Sequence, residues 1–195
     1  MIDDQSKALL KTLSEANGIP GHEDEVRRAM TAALSGVAEP TMDGHGGVTF
    51  MKRGGSDRPR ILYAGHMDEI GFIVKSITDD GFLYMIPSGG WIDQALLTQR
   101  LLVHGSKGPV LGVVGAKPPH LTPPDKRGEM VRIRDMFLDV GACSKEDAME
   151  NLGITPGDQI TPVASFEELN GGQFLLGKAW DDRVGVALAT ETLLR

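Results

Sequence analysis

From about residue 37 the sequence breaks into short extended runs divided by glycine and proline, and that punctuation limits what the middle of the chain can become. Val48-Thr49-Phe50-Met51 follows a Gly44-His45-Gly46-Gly47 turn, and residues 60–64 form a β-rich run leading into Gly65-His66-Met67-Asp68-Glu69. Phe72-Ile73-Val74, Phe82-Leu83-Tyr84-Met85-Ile86, Leu101-Leu102-Val103 and residues 110–114 come next, with little helix between them. Closely spaced strands inserted after an α/β start predict a small all-β domain, barrel-like, over roughly residues 72–165.

The flanking segments follow a different period. Asp3, Asp4 and Ser6 are candidate N-caps for a first helix that lines up Leu9, Leu10, Leu13 and Ala16, and Asn17-Gly18 stops it. A second helix is expected to open near Gly21-His22-Glu23 with acidic residues in its first turn and Val26, Met30, Ala33 and Leu34 as its buried stripe. Pro118-Pro119-His120-Leu121-Thr122-Pro123-Pro124 reads as an exposed, stiff loop. Ser144-Lys145-Glu146-Asp147 has the form of a capping box for a short helix ending near Gly153. After Gln173-Phe174-Leu175-Leu176-Gly177 the chain returns to strand, turn and helix, the last helix running from about Arg183 with Val184, Ala187, Leu188, Glu191 and Leu194 along it. It stops at Arg195 with no glycine, asparagine or proline to close it, and a cut is expected there.

Composition narrows the classes. With 41% hydrophobic and 24% charged residues the chain reads as a soluble globular protein. A formal charge of −7 with scattered Lys and Arg disfavours nucleic acid or an anionic membrane as partner, since both need a basic patch, and it suits a site that collects cations. One cysteine, Cys143, allows no internal disulfide; no signal peptide and no membrane-spanning run is visible, so a cytoplasmic location is the default expectation.

Two short motifs carry candidate chemistry. In extended backbone His66 and Asp68 project to the same side, which lets an imidazole bind a metal while a carboxylate fixes its orientation. Alone, such a pair is more often a structural hydrogen bond. Gly177-Lys178-Ala179-Trp180-Asp181-Asp182-Arg183-Val184-Gly185 sets two adjacent carboxylates before a helix. One could bridge two cations, or the pair could simply cap the helix.

Taken in order, the motifs resemble the tetrahedral aminopeptidases, the glutamyl and deblocking enzymes that use two metal ions. The residues that carry the likeness begin with Gly18-Ile19-Pro20-Gly21, Gly65-His66-Met67-Asp68-Glu69-Ile70-Gly71-Phe72 and Lys117-Pro118-Pro119-His120. They continue with Asp139-Val140-Gly141-Ala142, Ser144-Lys145, Gly153-Ile154-Thr155-Pro156-Gly157-Asp158 and Ala179-Trp180-Asp181-Asp182-Arg183-Val184-Gly185. The resemblance implies an α/β fold: part of a three-layer α/β/α catalytic domain from residues 1–71 and 166–195, with an inserted β-domain, 72–165, that mediates dimers and a hollow dodecamer. It implies two divalent ions (zinc or cobalt), His66 and Asp181 as metal ligands, Asp68 as the catalytic-site carboxylate that tunes His66, and a cis Asp181–Asp182 peptide. The substrate class implied is a peptide, cleaved at its N-terminus by a metal-activated water.

This sequence departs from the family pattern in its extent. The family's Glu-Glu pair, which supplies the general base and a ligand, and its later Asp and His ligands lie beyond Arg195, so the chain alone is expected to be inactive. Competing readings are a non-catalytic oligomerisation fragment and, less favoured, a glycoside hydrolase of endoglucanase type, whose two carboxylates would need to flank a sugar ring where Asp181 and Asp182 are neighbours. His22-Glu23 lacks the second histidine of a zinc-protease helix and reads as an acidic helix start. His45, His104, His120 and Cys143 read as structural, solvated or loop residues.

Overall fold

The computed structural model describes residues 2–121, 123–126 and 128–195. The chain folds as two compact units, one made of the residues up to Glu69 together with Ala164–Arg195, the other of Ile70–Val163.

In the first unit, helix α1 spans Asp4–Glu15 and α2 spans Asp24–Ala33. Asp3 is the cap of α1, its carboxylate accepting from the backbone N–H of Ser6 at 2.7 Å. Strands β1 (Pro40–Met42) and β2 (Val48–Phe50) form a small antiparallel hairpin. Leu13 of α1 and Val26 and Met30 of α2 pack with Val186 and Ala187 from the last helix, and Val48 and Phe50 lean on that core.

The second unit is a closed six-stranded barrel. Its strands are β3 (Gly71–Ile77), β4 (Leu83–Ser88), β5 (Arg100–Gly105), β6 (Gly108–Ala116), β7 (Met136–Asp139) and β8 (Gln159–Pro162), in the order β3-β4-β7-β6-β5-β8. Alternate residues point inward, as the period of a strand requires: Phe72 and Val74, Leu83 and Met85, Leu101 and Val103, Val114, Met136 and Leu138, and Ile160 are all buried. Trp91 stacks on Phe72 at 4.8 Å and donates its indole N–H to the Gly71 carbonyl. Gly112 is required by packing, because a Cβ there would sit 2.8 Å from Leu138 Cγ. Closure removes the unpaired edges that an open sheet of short strands would carry.

The expected capping box is present: Asp147 N–H donates to Ser144 Oγ at 3.1 Å, and Asp147 Oδ2 accepts from Cys143 N–H at 2.8 Å. It opens one wide turn, Asp147–Asn151, that ends before Gly153. The proline loop holds short turns at Pro119–Leu121 and Pro124–Lys126 with His120 exposed; Thr122 lies outside the described residues.

Back in the first unit, β9 (Glu167–Leu169) and β10 (Phe174–Leu176) form a hairpin, and α3 covers Trp180–Leu194. One expectation fails here. Residues 60–64 are not a strand, and Ile61, Leu62 (85% exposed) and Tyr63 face solvent. Among the described residues no strand pairs with this run, and β-propensity is realised only through pairing and burial. The last helix is present as expected, and its buried face is Arg183, Val186, Ala187 and Thr190, on the side where α1 packs, while Val184 and Leu188 stay exposed.

The alternation in the barrel sets a direct test. Leu138→Ala, on the inside of β7, lowers unfolding free energy by about 2–5 kcal/mol. Leu111→Ala, on the outside of neighbouring β6 and 54% exposed, changes it by no more than about 0.5 kcal/mol. Urea unfolding followed by fluorescence measures both, and equal losses would contradict the assigned register.

Candidate metal centre

Residues 65–69 run extended in the first unit, and their side chains alternate. Met67 packs against the helical core and Glu69 is buried, while His66, exposed, and Asp68, half-buried, project to the other side. Gly65 lets this run lie against the first turn of α3: a Cβ there would meet Val186 N at 2.8 Å and Gly185 C at 2.9 Å.

His66 is held between two carboxylates. Its Nδ1 lies 3.0 Å from Asp68 Oδ1 and its Nε2 lies 2.9 Å from Asp181 Oδ1, across 115 residues of sequence. Burial works against the charged imidazole, but the hydrogen bonds it donates to Asp181 and Asp68 outweigh it, so His66 titrates above its ordinary value of 6.5. Nε2 and the Asp181 carboxylate thus face one spot, while Asp68 grips the opposite edge of the ring.

The two adjacent aspartates divide their work. Asp181 and Asp182 have non-helical backbone angles and are joined by a cis peptide, as the resemblance implied. Asp182 Oδ1 accepts from the Gly185 N–H at 3.1 Å, three residues on, as an N-cap does. A Cβ at residue 185 would fall 2.5 Å from that carboxylate, so the glycine makes room for the cap. Asp181, 95% exposed, has only His66 as partner among the described residues. The helix cap is therefore made by Asp182, and Asp181 is the aspartate left beside His66.

Beneath this surface lies a buried ionic cluster to which the sequence reading gave no role, although Glu69 and Lys178 both sit inside the motifs quoted above. Lys178 Nζ donates to Glu69 Oε1 at 2.7 Å and to Asn17 Oδ1 at 2.8 Å. Glu69 Oε1 also accepts from the Gly18 N–H, and the Glu69 N–H donates to the Gly18 carbonyl at 2.8 Å. Ser14 Oγ donates to the Lys178 carbonyl at 2.7 Å, and Arg183, fully buried, donates through Nη1 to the carbonyls of Leu13 and Ala16. Burial pushes the Glu69 carboxyl up and the Lys178 ammonium down, each opposed by its partner's charge. No periodicity links Glu69 to Lys178, 109 residues away.

The donors suit a divalent ion. Ligands roughly 2.0–2.2 Å from an ion, at angles between square and tetrahedral, are about 2.9–3.5 Å apart, and the His66 Nε2 to Asp181 Oδ1 separation of 2.9 Å falls at the near end of that range. Among the described residues no group of three or more His, Cys, Asp or Glu gathers around one point. The chain offers a pair of donors, short of the four of a closed zinc site. His22, His45, His104 and His120 are not part of this arrangement; His104 Nε2 lies 2.9 Å from Thr161 Oγ1 in the barrel.

The family of M42 glutamyl aminopeptidases matches residues 46–195. A glutamyl aminopeptidase from Lactococcus lactis subsp. cremoris is 34% identical over 192 residues, which are 94% of this chain and 53% of that protein. The crystal structure of a TET aminopeptidase from Thaumarchaeota archaeon SCGC AB-539-E09 superposes with a TM-score of 0.92 at 46% identity, covering 98% of this chain and 54% of that one. A TET1 peptidase from Pyrococcus horikoshii, described as assembling into a tetrahedron or a large octahedral shell, has a TM-score of 0.84 at 32% identity over 96% of this chain and 55% of that one. The chain spans about half the length of the relatives it matches.

Two measurements check the geometry. In the metal-free chain an NMR titration of His66 gives a midpoint above 6.5, and Asp181→Asn lowers it. The stability this histidine contributes is complete below the unfolded-state value and is lost as pH rises through the raised one; a midpoint at or below the ordinary value counts against the carboxylate pair. Asp182→Ala costs about 1 kcal/mol as a lost cap, whereas Asp181→Ala changes stability by no more than about 0.5 kcal/mol.

Proposed function

Since the chain belongs to the M42 glutamyl aminopeptidase family, we propose that His66, Asp68 and Asp181 form one side of a two-metal peptidase site that releases N-terminal residues from peptides. The observation that carries this reading is the 2.9 Å approach of His66 Nε2 to Asp181 Oδ1. When bound, paired divalent ions supply a nucleophilic water at neutral pH and polarise the carbonyl under attack. His66 holds one ion through Nε2. Asp68 accepts from Nδ1–H, fixes the tautomer that leaves Nε2 free for the metal, and raises the basicity of the ring. Asp181, whose carboxylate lies beside Nε2, would help hold the same ion and add negative charge between paired cations.

The remaining ligands and the general base come, in this reading, from polypeptide matching the half of the relatives' length that this chain does not cover, and the 195 residues alone are inactive. Zinc or cobalt fits a set of one imidazole and carboxylates. The barrel unit supplies dimer contacts in a larger homo-oligomer. Its exposed Ile86, Ile92, Leu111 and Val113 support that role, as does the shell-forming Pyrococcus horikoshii neighbour. Peptides, rather than nucleic acids or membranes, are the partners this acidic chain suits; among the described residues no helix is long and apolar enough to cross a membrane. A cytoplasmic location agrees with its single cysteine, Cys143.

The protein expressed from its full reading frame releases N-terminal residues from short peptides, loses that activity on exhaustive chelation, and regains it with zinc or cobalt. His66→Ala lowers kcat/KM by more than about 100-fold, the upper range for losing a mere supporting hydrogen bond near a metal. Turnover that survives complete chelation removes the reading.

A further inference from the structure

We propose that the buried Glu69–Lys178 ion pair is a positioning device that sets the separation of His66 from Asp181 by holding both of their loops to Asn17-Gly18; the inference rests on the metal-site reading above. Glu69 follows His66 by three residues and Lys178 precedes Asp181 by three, so the pair spans the same two loops one layer below the surface. Neither surface residue is placed by packing: His66 is 52% and Asp181 95% exposed. Their approach is therefore set from beneath.

The loops share one reference point. The His66 loop is bound to Gly18 twice, through the Glu69 backbone N–H at 2.8 Å and through Glu69 Oε1. The Asp181 turn is bound to the same junction by Lys178 Nζ on Asn17, by Ser14 Oγ on the Lys178 carbonyl, and by Arg183 on Leu13 and Ala16. Asn17 is itself fixed, its backbone and side-chain N–H groups donating to Glu25 Oε2 of α2. The Lys178–Glu69 contact is the direct tie between the two loops, at 2.7 Å with both side chains almost wholly buried. Well-packed apolar side chains fill such a space with equal or greater stability, whereas an ion pair with directed hydrogen bonds also fixes a distance.

The test uses this chain with its histidines labelled with nitrogen-15, His66 being assigned from His66→Gln. Glu69→Gln and Lys178→Met each leave a buried group unmatched and lower the melting temperature; the double variant Glu69→Gln/Lys178→Met removes both charges and recovers most of it. In that double variant the metal-free His66 ring nitrogens shift as the Asp181 contact loosens, and zinc added in steps half-saturates His66 at about 10- to 100-fold higher concentration, the range for altered outer-shell partners. A folded double variant whose His66 nitrogens overlay the parent's overturns the inference. The zinc arm is repeated on the protein expressed from its full reading frame, which carries the remaining ligands of the proposed site; a parent whose His66 ignores zinc there overturns instead its assignment as a ligand, and the metal-free spectrum of this chain still decides the positioning role.

Discussion

In the proposed site the placing of His66 and Asp181 depends on the buried contact between Lys178 and Glu69. Removing two charges from water costs several kcal/mol per ion, and attraction offsets that only when further hydrogen bonds complete the geometry. Here Glu69 Oε1 accepts from Lys178 and from Gly18, and Lys178 donates to Glu69 and to Asn17, while the buried Glu69 Oε2 has no hydrogen-bond partner among the described residues. The partners of this pair belong to the α1–α2 junction, the extended run at 65–69 and the turn before α3. Helix α1 thereby does more than bury Leu13: its C-terminal end and the residues after it are where the two site-bearing segments are anchored.

How much of this was legible in the sequence follows from how local each signal is. The barrel was readable because alternation at Phe72-Ile73-Val74 and its successors is a two-residue pattern. The pairing order β3-β4-β7-β6-β5-β8 was not, since register between distant strands is set by closure. His66 and Asp68 were readable as a same-side pair for the same local reason. Asp181 was picked over Asp182 by family likeness, because residue type gives no distinction between the two neighbours; in the fold the Asp182 bond to Gly185 N–H and the Asp181 contact with His66 tell them apart. Residues 60–64 misled because a β-rich run states a preference that needs a partner strand. Glu69 and Lys178 left no periodic trace at all.

The electrostatics of the centre fit a residue that exchanges a proton for a metal. The imidazole of His66 is drawn toward its charged form by two carboxylates, and the same carboxylates favour a divalent cation in the proton's place. Metal uptake at such a group releases a proton and weakens as pH falls. The acidic balance of the chain, 27 Asp and Glu against 20 Lys and Arg, acts in the same direction at longer range. Arg183 is a counterweight: buried below, it feels the charges of Glu69 and Asp68 and keeps part of the negative potential compensated within the fold.

In the proposed metal site the Asp181-Asp182 step lets a structural requirement and a chemical one fall to adjacent residues without competing. A helix start needs an acceptor for its free N–H groups, and a cation site needs a carboxylate that is free of such donors. One side chain cannot meet both needs, because a carboxylate committed to the helix amides is turned away from the ion. Asp182 takes the helix, with Gly185 leaving room for it, and Asp181 is thereby left exposed and directed at His66. The cap also has a positional effect: by fixing where α3 begins, it fixes where the residue before it must sit. Lys178 constrains the same turn from its other end, so Asp181 is held between two anchored residues while its own side chain stays in solvent.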